Sequence, residues 1–278
     1  MNQLYKTIGI SKQAVNQYTK RQAVFDSRVS QLILEADDLR GDHPGCGVEK
    51  MYNILDPDFI GRDRFIETMM GLGYRIKKKK NYKRTTIAGK KFYPNLIKGL
   101  RVNAPNVLWQ SDITYLPLNG KHYYAVFIID VYTKKIVGFI VSDNMRAQAN
   151  VEALNMAIKE NNAPEIHNSD RGSQYTYSKY IDLLVSNGTK ISMSLSGLDN
   201  AYAERINRTI KEEYLDYWKP ETFFQLKKCV AKAVKNYNEK RTHKNLPKIS
   251  PDNFEKYWST LKPENRPIIT IFNNEINN

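Results

Sequence analysis

Cysteine is scarce: Cys46 and Cys229 are the two present in 278 residues. Two cysteines make no disulfide framework, and a reducing cytoplasm fits their scarcity. Long apolar runs are also missing. The most hydrophobic stretch, "YYAVFIID", meets a charge at Asp130, far short of the roughly 20 residues that cross a bilayer. The opening "MNQLYKTIGI" has no apolar core of the kind a secretory signal needs. His43 and Cys46 lie close together, but no second ligand pair follows at zinc-finger spacing. Repeats and low-complexity tracts are absent. Acidic residues are in deficit, with 29 Asp and Glu against 43 Lys and Arg and a formal charge of +14. The imbalance is uneven: residues 1–104 hold 20 basic and 10 acidic side chains, and the remainder 23 and 19. A basic front predicts a polyanionic partner, most simply nucleic acid; solubility alone is the plainer reading. The hydrophobic fraction of 41% is that of a folded protein, and the length suits two domains.

The chain opens with a short apolar face at Leu4, Tyr5 and Ile8, a break at Gly9, and Ser11 placed to cap a second helix carrying Ala14, Val15 and Tyr18. Helix, glycine turn, helix is the helix-turn-helix pattern. Lys12, Gln13, Asn16 and Gln17 on the second helix are of the types that read base edges and phosphates, or else they form a solvated face. A longer helix through Phe25, Val29, Leu32 and Ala36 is expected next, then a helix pair near Val48–Leu55 and Arg62–Met70. The run Lys77, Lys78, Lys79 and Lys80 is either an arm tracking DNA phosphates or a solvated linker. Residues 1–100 are thus expected to be a helical DNA-binding region, with a basic linker at 77–91.

After residue 101 the texture turns strand-like. "VLWQSDITYLP" alternates, with Gln110, Asp112 and Thr114 on one face. Two further apolar strands follow, then helices and strands in alternation. This order predicts a mixed α/β sheet with helices packed on it over 101–262, and a loose tail at 263–278. Three carboxylates stand out. Asp112 lies inside a strand, where Asp is disfavoured. Asp170 lies just after a strand, in "HNSDRGSQY". Glu204 lies on a helix, with Lys211 seven positions on and hence on the same face. Each has a plain reading: a solvent-facing strand residue, a turn residue, and a surface bridge to Arg208. Together they match phosphodiester chemistry by two divalent ions, which needs hard oxygen ligands from separate elements. Lys211 is placed to hold a phosphate beside them.

"HPGCGVEKMY", "WQSDITYLP", "HNSDRGSQYT", "ISMSLSGLDNAYAERINRTIKEEY" and "YNEKRTHKNLPKISP" run in order from about residue 40 to 255. With them the chain resembles the bacterial insertion-sequence transposases, specifically the second-reading-frame product with a retroviral-integrase-like DDE core. The resemblance implies an RNase H-like core and Asp112, Asp170 and Glu204 as catalytic metal ligands. It also implies Mg²⁺, or Mn²⁺, as two ions. Ser169, Gly172, Gln174 and Asn200 fall beside the triad as supporting residues. Lys211, Arg208, Arg241 and His243 become DNA contacts, although His243 also reads as a structural residue of a basic turn. Two departures are visible. Between Asp170 and Glu204 lie 33 residues, about two fewer than the family's usual interval, and Asn168 stands where the family often has His. A shortened loop is readily tolerated.

The expected function is metal-dependent cleavage of an insertion sequence's DNA ends and their transfer to target DNA. The expected partners are the terminal inverted repeats, target DNA, further copies of this chain and a first-frame protein. No membrane is involved, and the location expected is the bacterial cytoplasm and nucleoid. Two competing readings are a DNA-binding regulator without catalysis and an RNase H-like nuclease that cuts but never joins.

Overall fold

A computed structural model describes residue 9, residues 11–76 and residues 92–271, and the chain divides into two compact units at about residue 78. The expected first helix around Leu4 to Ile8 and the run Lys77 to Lys80 lie outside the described residues.

In the first unit, α1 (Lys12–Asp42) begins at Ser11, whose hydroxyl accepts from the Ala14 amide at 3.0 Å. The second and the longer helix expected from the sequence are one 31-residue helix. "KRQAVF" offers no glycine, proline or cap between them, so nothing ends the first before the second begins. Lys12, Gln13, Asn16 and Gln17 are exposed on its opening turns. Leu32 and Ala36, further along, pack with Met51 of α2 (Val48–Leu55) and with Phe65 and Met69 of α3 (Arg62–Gly71). His43 and Cys46 are buried at this core.

The second unit is built on a five-stranded sheet. Its strands are β2 (Leu108–Leu118), β3 (Lys121–Asp130), β4 (Ile136–Ser142), β5 (Ile166–Ser169) and β6 (Lys190–Met193), in the order β4-β3-β2-β5-β6. β2, β3 and β4 pair antiparallel as a meander, while β5 and β6 run parallel to β2. β1 (Arg101–Val102) lies outside this sheet. The parallel strands need crossovers, supplied by α4 (Ala147–Glu160) and α5 (Ser178–Ser186). Gly138 permits the first: a Cβ there would sit 2.4 Å from the Ala153 carbonyl oxygen of α4.

Apolar side chains fill both faces of the sheet. Trp109, Val126 and Ile128 point toward α4 and α5. Phe127 and Ile129 point toward α6 (Ala201–Ile210) and α7 (Phe223–Glu239). A third cluster joins Val102, Leu108 and Tyr132 to Phe254 of α8 (Pro251–Thr260) and to Ile271. The last of these corrects the expectation of a loose tail. β7 (Ile269–Thr270) pairs antiparallel with β1, and Ile271 is buried. Alternate apolar residues in "PIITI" gave that stretch a strand's pattern.

Candidate active site

β2 is the central strand, and its polar face is covered by one helix. Alternate residues Gln110, Asp112 and Thr114 are spaced by about 6.6 Å along the strand. The Tyr202 amide donates to Gln110 Oε1 at 3.1 Å, Asn207 Nδ2 donates to Asp112 Oδ2 at 2.8 Å, and Lys211 Nζ donates to Thr114 Oγ1 at 2.8 Å. Four to five helical residues rise about 6 to 7.5 Å, so the two ladders match rung for rung. A strand face that looked suited to solvent is therefore closed by α6, with Gln110 and Thr114 buried.

The three expected carboxylates lie within electrostatic reach of one another beside this ladder. Burial pushes Asp112 up to about 8, and Asp170 and Glu204 beside it add to the shift. Glu204 is also raised, by burial of its carboxylate and by Asp170, against the lowering pull of Arg208. Lys211 is lowered by burial, which outweighs the attraction of Asp112. Asp112 and Glu204, with Asp170 beside them, thus form a group of oxygen donors in which the first two are held toward their protonated forms. That is the donor set a hard divalent cation fits. Among the described residues no three acidic, His or Cys side chains stand close enough to hold an ion as they lie.

The supporting residues divide. The Gly172 amide donates to Asp170 Oδ1 at 2.9 Å, so Asp170 is both a turn residue and a member of the cluster. A Cβ on Gly172 would lie 2.9 Å from that same oxygen. The Ser169 hydroxyl donates to the Asp170 carbonyl at 3.0 Å. Asn200 Nδ2 donates to the Ser111 carbonyl at 3.0 Å, joining the start of α6 to the strand that carries Asp112. Gln174 donates instead to the Met145 carbonyl.

Two residues were missed in the sequence. Asn207 binds Asp112 across 95 positions, and its one visible sign was a place three residues after Glu204 on a polar helix face. Gly197 is the other: a Cβ there would stand 2.8 Å from Glu204 Oε1. The short "SGLDNA" loop lies against that carboxylate, which would have to shift to admit a larger residue there. Asn168, in the family's His position, is wholly buried. Its amide donates to Ser194 Oγ and to the Asp199 carbonyl, while its oxygen accepts from Ser192. It ties β5 to β6 and to the turn that opens α6. His167 is buried against the Tyr180 hydroxyl at 3.0 Å and held down to about 3, hence neutral.

Arg241 requires a correction. Expected on DNA, it is buried and gives one edge of its guanidinium, Nε and Nη2, to Glu213, at 2.7 and 2.8 Å. Against the lowering effect of burial its pKa is raised by that partner, and its Nη1 lies against His243. Glu213 sits in a π-helical turn, Lys211–Leu215, that directly continues α6. His243 packs edge-on to Tyr237, with ring centres 5.0 Å apart, and adjoins Arg241. Asn238 closes a double hydrogen bond with the backbone of Ile136, both arms 2.9 Å. The "YN…R…H" segment is thus a brace between α7, β4 and the π turn.

Two family models described as the integrase core domain match residues 102–197 and 188–251. The 31 kDa protein of insertion element IS600 from Shigella sonnei is 34% identical over 207 residues, covering 71% of this chain and 76% of that protein. The chain belongs to the insertion-sequence transposases with an integrase core. The transposase of IS904 from Lactococcus lactis is 37% identical over 172 residues, covering 60% of this chain and 68% of its own length. A simian T-cell lymphotropic virus intasome shares the fold. It has a TM-score of 0.52 at 15% identity, over 84% of this chain and 77% of that one. The transposase therefore carries out DNA strand cleavage and strand transfer in the transposition of an insertion sequence, the metal-dependent chemistry of its family. No helix among the described residues is long and apolar enough to cross a membrane.

Proposed function

We propose that Asp112, Asp170 and Glu204 are the ligands of two divalent ions, Mg²⁺ or Mn²⁺, at which this transposase cuts element ends and joins them to target DNA. The observation that carries this is the electrostatic coupling of the three carboxylates beside α6, with Asp112 and Glu204 both raised by burial and by Asp170. When bound, the ions would supply positive charge for the phosphate and acidify the attacking hydroxyl. The chain's own residues supply position. Asn207 fixes one Asp112 oxygen, and the Gly172 amide fixes one Asp170 oxygen. Glu204, exposed on its helix, is the ligand free to swing. Lys211 lies within the field of Asp112 and is held by Thr114, ready to meet a phosphate oxygen once DNA is seated.

Cleavage breaks a P–O3′ bond by attack of water and leaves a 3′-hydroxyl. Transfer uses that hydroxyl to attack a target phosphate and releases a target 3′-hydroxyl, so bonds broken and formed balance in both steps. Residues 1–100 recognise the terminal repeats, with Lys12, Gln13, Asn16 and Gln17 exposed for that purpose on α1. Two DNA ends call for at least two copies of the chain, and a first-frame protein joins them in the complex.

The test is made in cells carrying the element with its own ends and the first-frame protein. The joined-end circle junction is amplified for wild type, Asp170→Asn and Glu204→Gln. A junction with wild type alone is expected. Equal junction yield from either variant overturns its place in the metal site.

A further inference from the structure

We infer that the outer face of α7 is a second DNA-binding surface, which grips the phosphate backbone of duplex DNA without regard to sequence. The inference rests on DNA being the substrate of this chain, and it concerns residues outside the acidic cluster.

α7 opens on a capping box, with the Gln225 amide bonded to Thr222 Oγ1 and Gln225 Oε1 accepting from the Thr222 amide. Leu226, Val230, Ala233, Val234 and Tyr237 form its buried stripe. The opposite face carries Lys227, Lys228, Lys232 and Lys235, all exposed. Between Glu221 and Glu239 the helix holds no carboxylate. A solvated helix face ordinarily mixes signs at i,i+4, because like charges there destabilise it. Here Lys228 and Lys232 stand at i,i+4 and Lys235 follows at i+3, so one side of the helix carries three cations in a row.

Aromatic rings lie beneath the cations. Lys228 Nζ is 4.3 Å from the ring centre of Phe224, Lys227 is 4.5 Å from Phe223, and Lys232 is 4.9 Å from Trp218. Phe224 is 66% exposed, a large apolar ring kept at the surface. Rings interleaved with lysines hold the ammonium groups in place, and the pairing of basic and aromatic groups is a common feature of nucleic-acid surfaces.

The spacing fits a DNA strand. Lys228 to Lys235 spans about 10 Å of helix, and one strand of B-DNA carries about three phosphates over that axial length. The side chains present also fix the mode of reading. Ammonium groups act as point charges toward phosphate, and the amide on this face, Gln225, is engaged in the cap. No side chain there is set to read base edges, which suits target or flanking DNA rather than the terminal repeats.

The test uses the full chain with Asp170→Asn, so that DNA is bound and not cut. Affinity for a duplex of arbitrary sequence is followed by fluorescence anisotropy across a sodium chloride series. Adding Lys228→Gln, Lys232→Gln and Lys235→Gln should make the slope of log K against log salt shallower by about 2 to 3. The control carries Lys121→Gln, Lys190→Gln and Lys244→Gln, exposed lysines elsewhere in the same unit, and should keep the parent slope. Melting curves of both triples establish that each is folded. An unchanged slope in the α7 triple overturns the inference, as does an equal loss in the control. A change confined to oligomeric state, with DNA affinity intact, also overturns it and assigns the face to a protein partner.

Discussion

Glu204 and Glu213 lie on one continuous helical run, nine positions apart, and their surroundings are opposite. Glu213 is answered within the chain. Arg241 meets both of its oxygens, and the pair is closed off by Tyr237 and His243. Glu204 stands near two more carboxylates, and the cation Arg208 lowers it. A carboxylate completed by its own protein braces the fold. The carboxylates beside Glu204 are, on the proposed reading, completed by metal from outside. The same side-chain type thus serves stability at one end of the helix and, on that reading, chemistry at the other.

The comparison breaks most sharply at the acidic end. Asp112→Asn or Glu204→Gln should cut strand cleavage by at least about a thousandfold, read on a labelled element-end duplex, while thermal stability holds or rises because repulsion is removed. A variant that loses activity by unfolding would instead place these groups with Glu213 as braces. At the other end the signs reverse. Arg241→Met alone leaves the half-buried Glu213 without the guanidinium and should cost up to about 3 kcal/mol in denaturant melts. The Arg241→Met, Glu213→Gln double variant should recover most of that. A double variant as unstable as the single one would show that the guanidinium's packing, not the charge pair, holds the π turn.

A smaller effect concerns protons. Asp112 is raised to about 8, far above an unfolded Asp. The folded chain without metal therefore binds more protons than the unfolded chain between about pH 4 and 8. Stability without metal should fall as pH rises through that window. Metal, which needs the ionised form, should bind more tightly as pH rises toward 8 and release close to one proton per chain at pH 7. Calorimetry in buffers of different ionisation enthalpy reads this directly, and release of none would remove Asp112 from the ligand set. The smallest change tests close approach. Gly172 has φ −60°, which any residue adopts, so Gly172→Ala presses on side chains alone, first on Asp170 Oδ1 at 2.9 Å and then on Gln174 Oε1 at 3.1 Å. Its cost should be about 10- to 100-fold in metal affinity, with stability changed by less than about 1 kcal/mol. An equal loss of both would make Gly172 a packing residue.

What was legible in the sequence follows the range of the forces involved. α2 begins and ends where its local pattern predicts, because periodicity acts within a few residues. Asp112, Asp170 and Glu204 stood out as carboxylates in places where structure alone did not require them. Asn207 and the partner of Arg241 were hidden for one reason: each is defined by a contact, across 95 and 28 positions respectively, that only the sheet and the returning helix create. Arg241 resembled any surface arginine until Glu213 was brought to it. The π turn was invisible as well, since "KEEYL" reads as ordinary helix. The single long α1 was misread for the opposite cause, an expected break with no residue to make it.

The short pairing of β1 with β7 has a mechanical consequence. Arg101 lies opposite Thr270, and the Gly99 and Ile271 backbones bond on the same side. The chain that follows β7 is therefore fastened beside β1, about 5 Å away, while the chain before β1 runs on to β6, where the Met193 amide donates to the Pro94 carbonyl and Ile97 is buried. Tension applied at residue 271 would not shear the five-stranded sheet. It would open this small seam one hydrogen bond at a time, like a zip, and would drag Ile271 from its burial before any load reached the strand that carries Asp112.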